Sequence, residues 1–316
     1  MARVLVTRHV PEGGLDPVVA AGHELVQRAE DVALGHDELV EAAGAVDAVV
    51  CLLTDRIDEE VLAAGAARTL RVVANVAVGY DNIDVAAAHR LGVAVCNTPG
   101  ILDETTADAA FLLVLAAARL ASTAEADLRG GRWGGWGVTQ YLGLDVHGAT
   151  LGLVGYGRIG QAMGRRAAGF GMQVLHHTRR PTGMPGYVAE LDRLLGESDI
   201  VSLHVPLTDD TRHLIGAPEL ARMRRHAVLV NTARGPVVDE EALAEALHHG
   251  VIFAAGLDVY EGEPRVHPRL LSAPRTVLLP HIGSASRATR TAMARLAGQG
   301  VCDVLAGRRP PNLVQG

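Results

Sequence analysis

The segment Leu151-Gly152-Leu153-Val154-Gly155-Tyr156-Gly157-Arg158-Ile159-Gly160 constrains the fold of this chain more than any other. An apolar strand pattern runs into G-x-G-x-x-G, and Gln161-Ala162-Met163-Gly164-Arg165 continues it as a helix. In such a turn the first glycine permits the tight bend and the second lets a pyrophosphate approach the backbone. The third lets the helix lie close to the strand, so that its N-terminus faces the phosphates. A second strand pattern, Val174 to His177, supplies the βαβ context that a lone glycine motif lacks. Dinucleotide binding is therefore expected at Gly155, Gly157, Arg158, Ile159 and Gly160.

The rest of the chain reads as α/β. Short apolar runs at Val4–Val6, Ala48–Leu53, Arg71–Ala74 and Val93–Cys96 alternate with helical patterns, the signature of a parallel sheet. One long buried helix is expected from Asp103 to about Leu128, followed by a Gly/Trp-rich loop, Gly130 to Gly137. A second series begins at Thr150, with strands expected at Leu151–Gly155, Gln173–His177, Ile200–Leu203, Val228–Asn231, Ala254–Val259 and Val277–Leu279. The last helical pattern, Ser286 to Leu305, would return to the first unit. The expected architecture is two Rossmann-like or flavodoxin-like parallel-sheet domains with the active-site cleft between them. Residues 1–97 plus 284–316 would form the substrate-binding domain and residues 98–283 the dinucleotide-binding one.

Composition removes several functions. A chain of 316 residues suits two domains at about 150 residues each. With 48% hydrophobic and 21% charged residues it can fill two cores, which excludes a largely disordered state. The net charge of −7 and the absence of any basic tract longer than two adjacent arginines argue against nucleic-acid binding. No apolar run reaches the roughly 18 residues that span a bilayer, so a cytoplasmic protein without membrane contact is expected. All 29 basic side chains are arginine, which rules out Schiff-base and Walker-type lysine chemistry. Cys51, Cys96 and Cys302 lack metal-ligand spacing, and no metal site is expected.

Polar groups at strand ends carry the expected chemistry. Arg234, Glu263 and His281 follow the last three strand patterns, where ligands collect in open α/β sheets. An arginine fork can clamp a carboxylate, a histidine can exchange a proton near neutral pH, and a glutamate beside it can orient the ring. With a nicotinamide this set can reduce a 2-keto acid. The strand ending at His177 is followed by Thr178-Arg179-Arg180, where an NAD-preferring site would carry an acidic residue for the ribose hydroxyls. Two arginines suit a 2′-phosphate, so NADPH is the expected cofactor, with NADH usable.

The chain resembles the D-isomer-specific 2-hydroxyacid dehydrogenases along nearly its whole length, and most closely their glyoxylate and hydroxypyruvate reductase branch. The resemblance rests on Val78-Gly79-Tyr80-Asp81-Asn82-Ile83-Asp84, Asn97-Thr98-Pro99-Gly100, Thr106-Ala107-Asp108 and the glycine turn. It continues through His204-Val205-Pro206-Leu207, Asn231-Thr232-Ala233-Arg234-Gly235, Gly256 to Pro264 and Pro280-His281-Ile282-Gly283-Ser284. It implies that Arg234 binds the substrate carboxylate, that His281 is the acid/base, and that its partner is Glu263 and not Glu261. The amides of Val78 and Gly79 would hold the carboxylate, and Asp258 would contact the nicotinamide amide. Thr106, Val205, Pro206, Thr232, Ala233 and Gly283 would line the cofactor pocket, and Trp136 would reach the partner subunit's substrate site in a homodimer. The alternatives are a dehydrogenase for a phosphorylated hydroxy acid or phosphite, and a non-catalytic dinucleotide-sensing corepressor. With Gly316 as the last residue, the regulatory extension of many phosphoglycerate dehydrogenases is not expected.

Overall fold

A computed structural model describes residues 1–315; Gly316, where the expected first domain ends, lies outside the described residues. Among the described residues eleven strands form two all-parallel sheets. The first holds β1 (Arg3–Val6), β2 (Glu24–Gln27), β3 (Ala48–Cys51), β4 (Val72–Asn75) and β5 (Ala94–Cys96), in the order β2-β1-β3-β4-β5. The second holds β6 (Thr150–Val154), β7 (Gln173–His177), β8 (Ile200–Leu203), β9 (Val228–Asn231), β10 (Ala254–Leu257) and β11 (Thr276–Leu278), in the order β11-β10-β9-β8-β6-β7. Every residue of β3, β4, β8, β9 and β10 is buried, as strands covered by helices on both faces must be.

The chain divides into two units, Asp103–Gly283 and the remainder, Met1–Leu102 with the segment from Ser284 onward. The first break thus falls at Leu102 and Asp103, where the sequence suggested 97 and 98. Asn97 and Thr98 are tied into the first unit by backbone bonds, Asn97 N–H to Asn312 O (3.2 Å) and Thr98 N–H to Ala77 O (2.9 Å). The final helix, Arg287–Leu305, is capped by Ser286 Oγ accepting from Thr289 N–H and packs on β3, β4 and β5.

The expected long helix is two helices, Asp103–Ala118 and Ala121–Arg129, bent by 68°. At the break Leu120 adopts φ 54°, and the carbonyl of Ala118 accepts from Leu144 N–H at 2.8 Å. Gly143 lies so close that a Cβ there would sit 2.3 Å from Ala118 O. The returning loop therefore takes a carbonyl that a continuous helix would need. The second helix has no buried residue, contrary to the expectation of one buried helix. The first helix packs across β9 and β10, and Gly256 gives Leu113 room to approach the sheet. Among the described residues no single helix is long and apolar enough to cross a membrane.

The second sheet reverses its strand order between β6 and β8, the crevice where ligands of doubly wound sheets bind. His204 N–H donates to Val154 O at 2.7 Å, and a Cβ on Gly155 would lie 2.4 Å from His204 O, so only glycine lets the two strand ends close up. The His204 ring hydrogen-bonds Ser202 Oγ through Nε2 at 2.9 Å, and burial holds its pKa down at about 4. An unfolded histidine binds its proton near pH 6.5, so between these values the unfolded chain carries more protons and stability falls as pH falls. The loss reaches about 3 kcal/mol once the pH is below 4. Thermal midpoints at pH 7 and pH 5 should therefore differ less in His204→Asn than in the wild type; equal differences would remove His204 from the acid response.

Candidate active site

The glycine turn has the geometry of an anion cradle. Gly155 adopts φ 95°, which an L side chain rarely tolerates, and its N–H donates to His177 O at 2.9 Å. Gly157 is the N-cap of the helix Arg158–Gly169, with no side-chain cap bond and no acidic residue in the first turn, so the first N–H groups remain available to an anion. Gly160 is required for a separate reason, because a Cβ there would meet Gly155 O at 2.4 Å. At Gly157 a Cβ would meet nothing within 4 Å, which leaves open space over the helix terminus. Arg158 is exposed and Ile159 half-buried beside it.

After β7, Thr178 Oγ1 donates to Arg180 O at 2.7 Å. Arg179 and Arg180 are exposed; Arg179 lies 3.4 Å from Asp210, with the two side chains 77% and 75% exposed, a pair of little energetic consequence. Val205 and Pro206 follow the end of β8. Thr232, just beyond β9, has a buried hydroxyl without a hydrogen-bond partner, a polar atom that a bound amide or ribose can satisfy. Thr106 lies close to Gly283, its Oγ1 being 3.7 Å from the position of a Cβ there.

Arg234, Glu263 and His281 stand on the loops after β9, β10 and β11. Asn231 shapes the first loop: its Oδ1 accepts from Ala233 N–H (3.0 Å) and its Nδ2 donates to Arg234 O (2.9 Å). Gly235 then nests against Tyr260, where a Cβ would come within 2.1 Å of the backbone. Glu263 uses both oxygens. Oε1 accepts from Tyr260 N–H at 2.9 Å and Oε2 meets His281 Nδ1 at 2.8 Å, with each side chain 28% exposed. Burial alone would push the Glu263 carboxyl up, but the bonds from His281 and Tyr260 N–H and the charge of Arg234 hold it below the ordinary carboxylate value. Glu261 faces elsewhere, accepting from Glu240 N–H at 3.0 Å and meeting His213 at 3.0 Å.

His281 itself has φ 54°, a strained conformation for histidine. The buried Asp258 carboxylate holds it from below, Oδ1 accepting from Ile282 N–H and Oδ2 from Gly283 N–H, each at 2.7 Å. Burial pushes the Asp258 carboxyl up, against these two bonds. Sequence reasoning missed Asn231 and Tyr260 as supports of Arg234 and Glu263, because a buried asparagine and a tyrosine amide leave no spacing signal.

Val78 and Gly79 lie in the first unit, after β4. Asn97 Nδ2 donates to Val78 O (2.7 Å) and Asn75 Nδ2 to Gly79 O (2.8 Å). In a trans peptide the N–H points opposite to the carbonyl, so the first of these bonds also aims the Gly79 N–H. Trp136 is 84% exposed.

Residues 111–283 match the family model for the NAD-binding domain of D-isomer-specific 2-hydroxyacid dehydrogenases. A glyoxylate reductase of Korarchaeum cryptofilum is 48% identical over 322 aligned residues, covering 99% of this chain and 95% of that protein. The crystal structure of a protein from Thermus thermophilus superposes with a TM-score of 0.93 at 44% identity, covering 99% of this chain and 100% of the other. An NADPH-dependent glyoxylate/hydroxypyruvate reductase of Sinorhizobium meliloti, in complex with NADP and malonate, does so with a TM-score of 0.88 at 35% identity, covering 99% and 96%. The chain belongs to the D-isomer-specific 2-hydroxyacid dehydrogenases, a family of NAD(P)-dependent oxidoreductases, in its glyoxylate reductase branch.

Proposed function

We propose that this protein reduces glyoxylate or hydroxypyruvate to the 2-hydroxy acid, with NADPH as its preferred reductant. The observation that carries the reading is the 2.8 Å contact of His281 Nδ1 with Glu263 Oε2, at the strand ends that also carry Arg234. Bound reduced nicotinamide supplies a hydride to the carbonyl carbon. Arg234 holds the carboxylate through its guanidinium fork. With Nδ1 committed to Glu263, His281 keeps Nε2 for the proton that the carbonyl oxygen takes up as it becomes a hydroxyl. Asp258 keeps the His281 backbone in place, and Thr232, Ala233, Thr106, Val205, Pro206 and Gly283 line the nucleotide side. The names of the relatives, glyoxylate reductases among them, favour this over a corepressor or a phosphite enzyme. The three buried free cysteines suit the cytoplasm.

Exposed Leu112, Leu128, Trp133, Trp136, Val138 and Leu142 lie along the two helices from Asp103 to Arg129 and the loop after them. That much apolar surface favours a closed two-fold dimer, with Trp136 offered to the partner. Sedimentation at micromolar concentration should show a species of twice the chain mass; a monomer would contradict the proposal.

Loss of the positioned acid should lower kcat by about 10²–10⁴-fold in His281→Ala while dinucleotide affinity stays within about twofold of wild type. Arg234→Lys should recover little of what Arg234→Ala loses, about 2–5 kcal/mol in kcat/KM, because an ammonium cannot reproduce the planar fork. Normal turnover in His281→Ala, measured as loss of reduced-nicotinamide absorbance, would end this assignment.

For cofactor choice, Thr178 neither binds a free ribose diol as a carboxylate would nor repels a 2′-phosphate. The expected preference for NADPH is about tenfold or more in kcat/KM, after screening of exposed arginines by salt. Arg179→Ala should shrink it and Thr178→Asp should abolish or reverse it. A wild-type enzyme favouring NADH would show that both arginines serve only the surface.

A further inference from the structure

His176 is the penultimate residue of β7, and its side chain takes no part in the chemistry above. The ring is fully buried. One face stacks on Tyr156, the residue between the first two glycines of the phosphate turn, with centroids 3.9 Å apart and planes inclined by 16°. Tyr187 lies against it at 5.8 Å. Nε2 is hydrogen-bonded to Thr182 Oγ1 at 2.7 Å, and Thr182 Oγ1 also accepts from Met184 N–H at 3.2 Å. One imidazole thus touches both the segment that would take the pyrophosphate and the middle of the loop 178–186 that carries Arg179 and Arg180.

The ends of that loop are fastened without the ring. His176 N–H donates to Gly186 O and Val188 N–H to His176 O, both at 2.8 Å, and Gly186 packs so tightly that a Cβ would lie 2.3 Å from Val174 O. Thr178 Oγ1 braces the first residues within the loop itself, and the bond from His176 to Thr182 ties its middle to β7. The ring's Nδ1 is buried with no hydrogen-bond partner, a cost in free energy that phenylalanine would avoid while keeping the stack. What histidine adds here is the Nε2 bond to the loop.

We infer that His176, through Thr182, is a positioning residue for cofactor specificity: it fixes the arginine loop against the phosphate turn so that a 2′-phosphate and a pyrophosphate are read in register. The inference rests on the NADPH reading above. A loop already held in its binding conformation loses less entropy when its arginines engage the phosphate, and this gain is absent for a ligand without one.

Calorimetry with adenosine 2′,5′-bisphosphate and adenosine 5′-monophosphate tests this without turnover, on the wild type, Thr182→Val and His176→Phe. The two variants should weaken the bisphosphate by about three- to tenfold and the monophosphate by less than about twofold. In parallel, the NADPH-over-NADH ratio of kcat/KM should fall by the same factor, with kcat and the KM for glyoxylate unchanged. Thr182→Val is the smaller change and keeps the test valid if His176→Phe misfolds. Unchanged bisphosphate affinity in a folded Thr182→Val protein, or equal weakening of both ligands, overturns the inference. A wild type that binds the bisphosphate no better than the monophosphate overturns the NADPH reading itself, and the inference with it; that outcome is visible before any variant is made.

Discussion

The buried carboxylate of Asp258 is the interaction on which the arrangement of the site depends. Its two oxygens accept from successive N–H groups, Ile282 and Gly283, and so hold the backbone beside His281, which sits at an uncommon positive φ. From there the order passes outward: His281 Nδ1 meets Glu263, and Glu263 is held in turn by the Tyr260 amide. Asp258 and Glu263 both accept from backbone N–H groups beyond the ends of parallel strands, so fold and site satisfy the same hydrogen-bonding demand. Burial opposes the charge on both Asp258 and Glu263, but only Glu263 has enough compensating bonds and nearby cations to stay below its ordinary range.

The same economy appears at the crevice between β6 and β8. Strand ends that diverge around a reversal of order leave a space, and close approach of Gly155 to His204 O narrows it to a turn rather than a gap. The helix after the turn presents an uncapped N-terminus there. The half-buried His204, its pKa held down at about 4, adds no positive charge beside the turn at neutral pH. In the first unit the order β2-β1-β3-β4-β5 repeats the reversal, between β1 and β3, and Asn75 at the end of β4 and Asn97 just after β5 hold carbonyls of the loop containing Val78 and Gly79.

Much of this was legible beforehand because burial on both faces writes itself as uninterrupted apolar runs. The strands from Val228, Ala254 and Ile200 begin where those runs begin. β2 left no such trace: Glu-Leu-Val-Gln is an edge strand with exposed ends, and its pairing with β1, not its composition, makes it a strand. The residues from Asp103 to Arg129 are rich in alanine and leucine, with neither glycine nor proline at the bend. The helix ends because Leu144 N–H, arriving from a distant loop, takes the Ala118 carbonyl.

The sequence by itself determined the two βα series, the glycine turn with a distinct duty for each glycine, and the order of Arg234, Glu263 and His281 along the chain. These depend on local periodicity and on residue types with few alternative uses. Only the tertiary structure decided how Glu263, the glutamate singled out by the resemblance, reaches His281, that Asn231, Asp258 and Tyr260 hold the loops of Arg234, His281 and Glu263, and that His176 joins the glycine turn to the loop 178–186. Asp258 meets Ile282 across 24 residues and Glu263 meets His281 across 18 because parallel pairing sets β10 beside β11, whereas Asn231 and Tyr260 act over three residues through turn geometry that residue type alone does not encode.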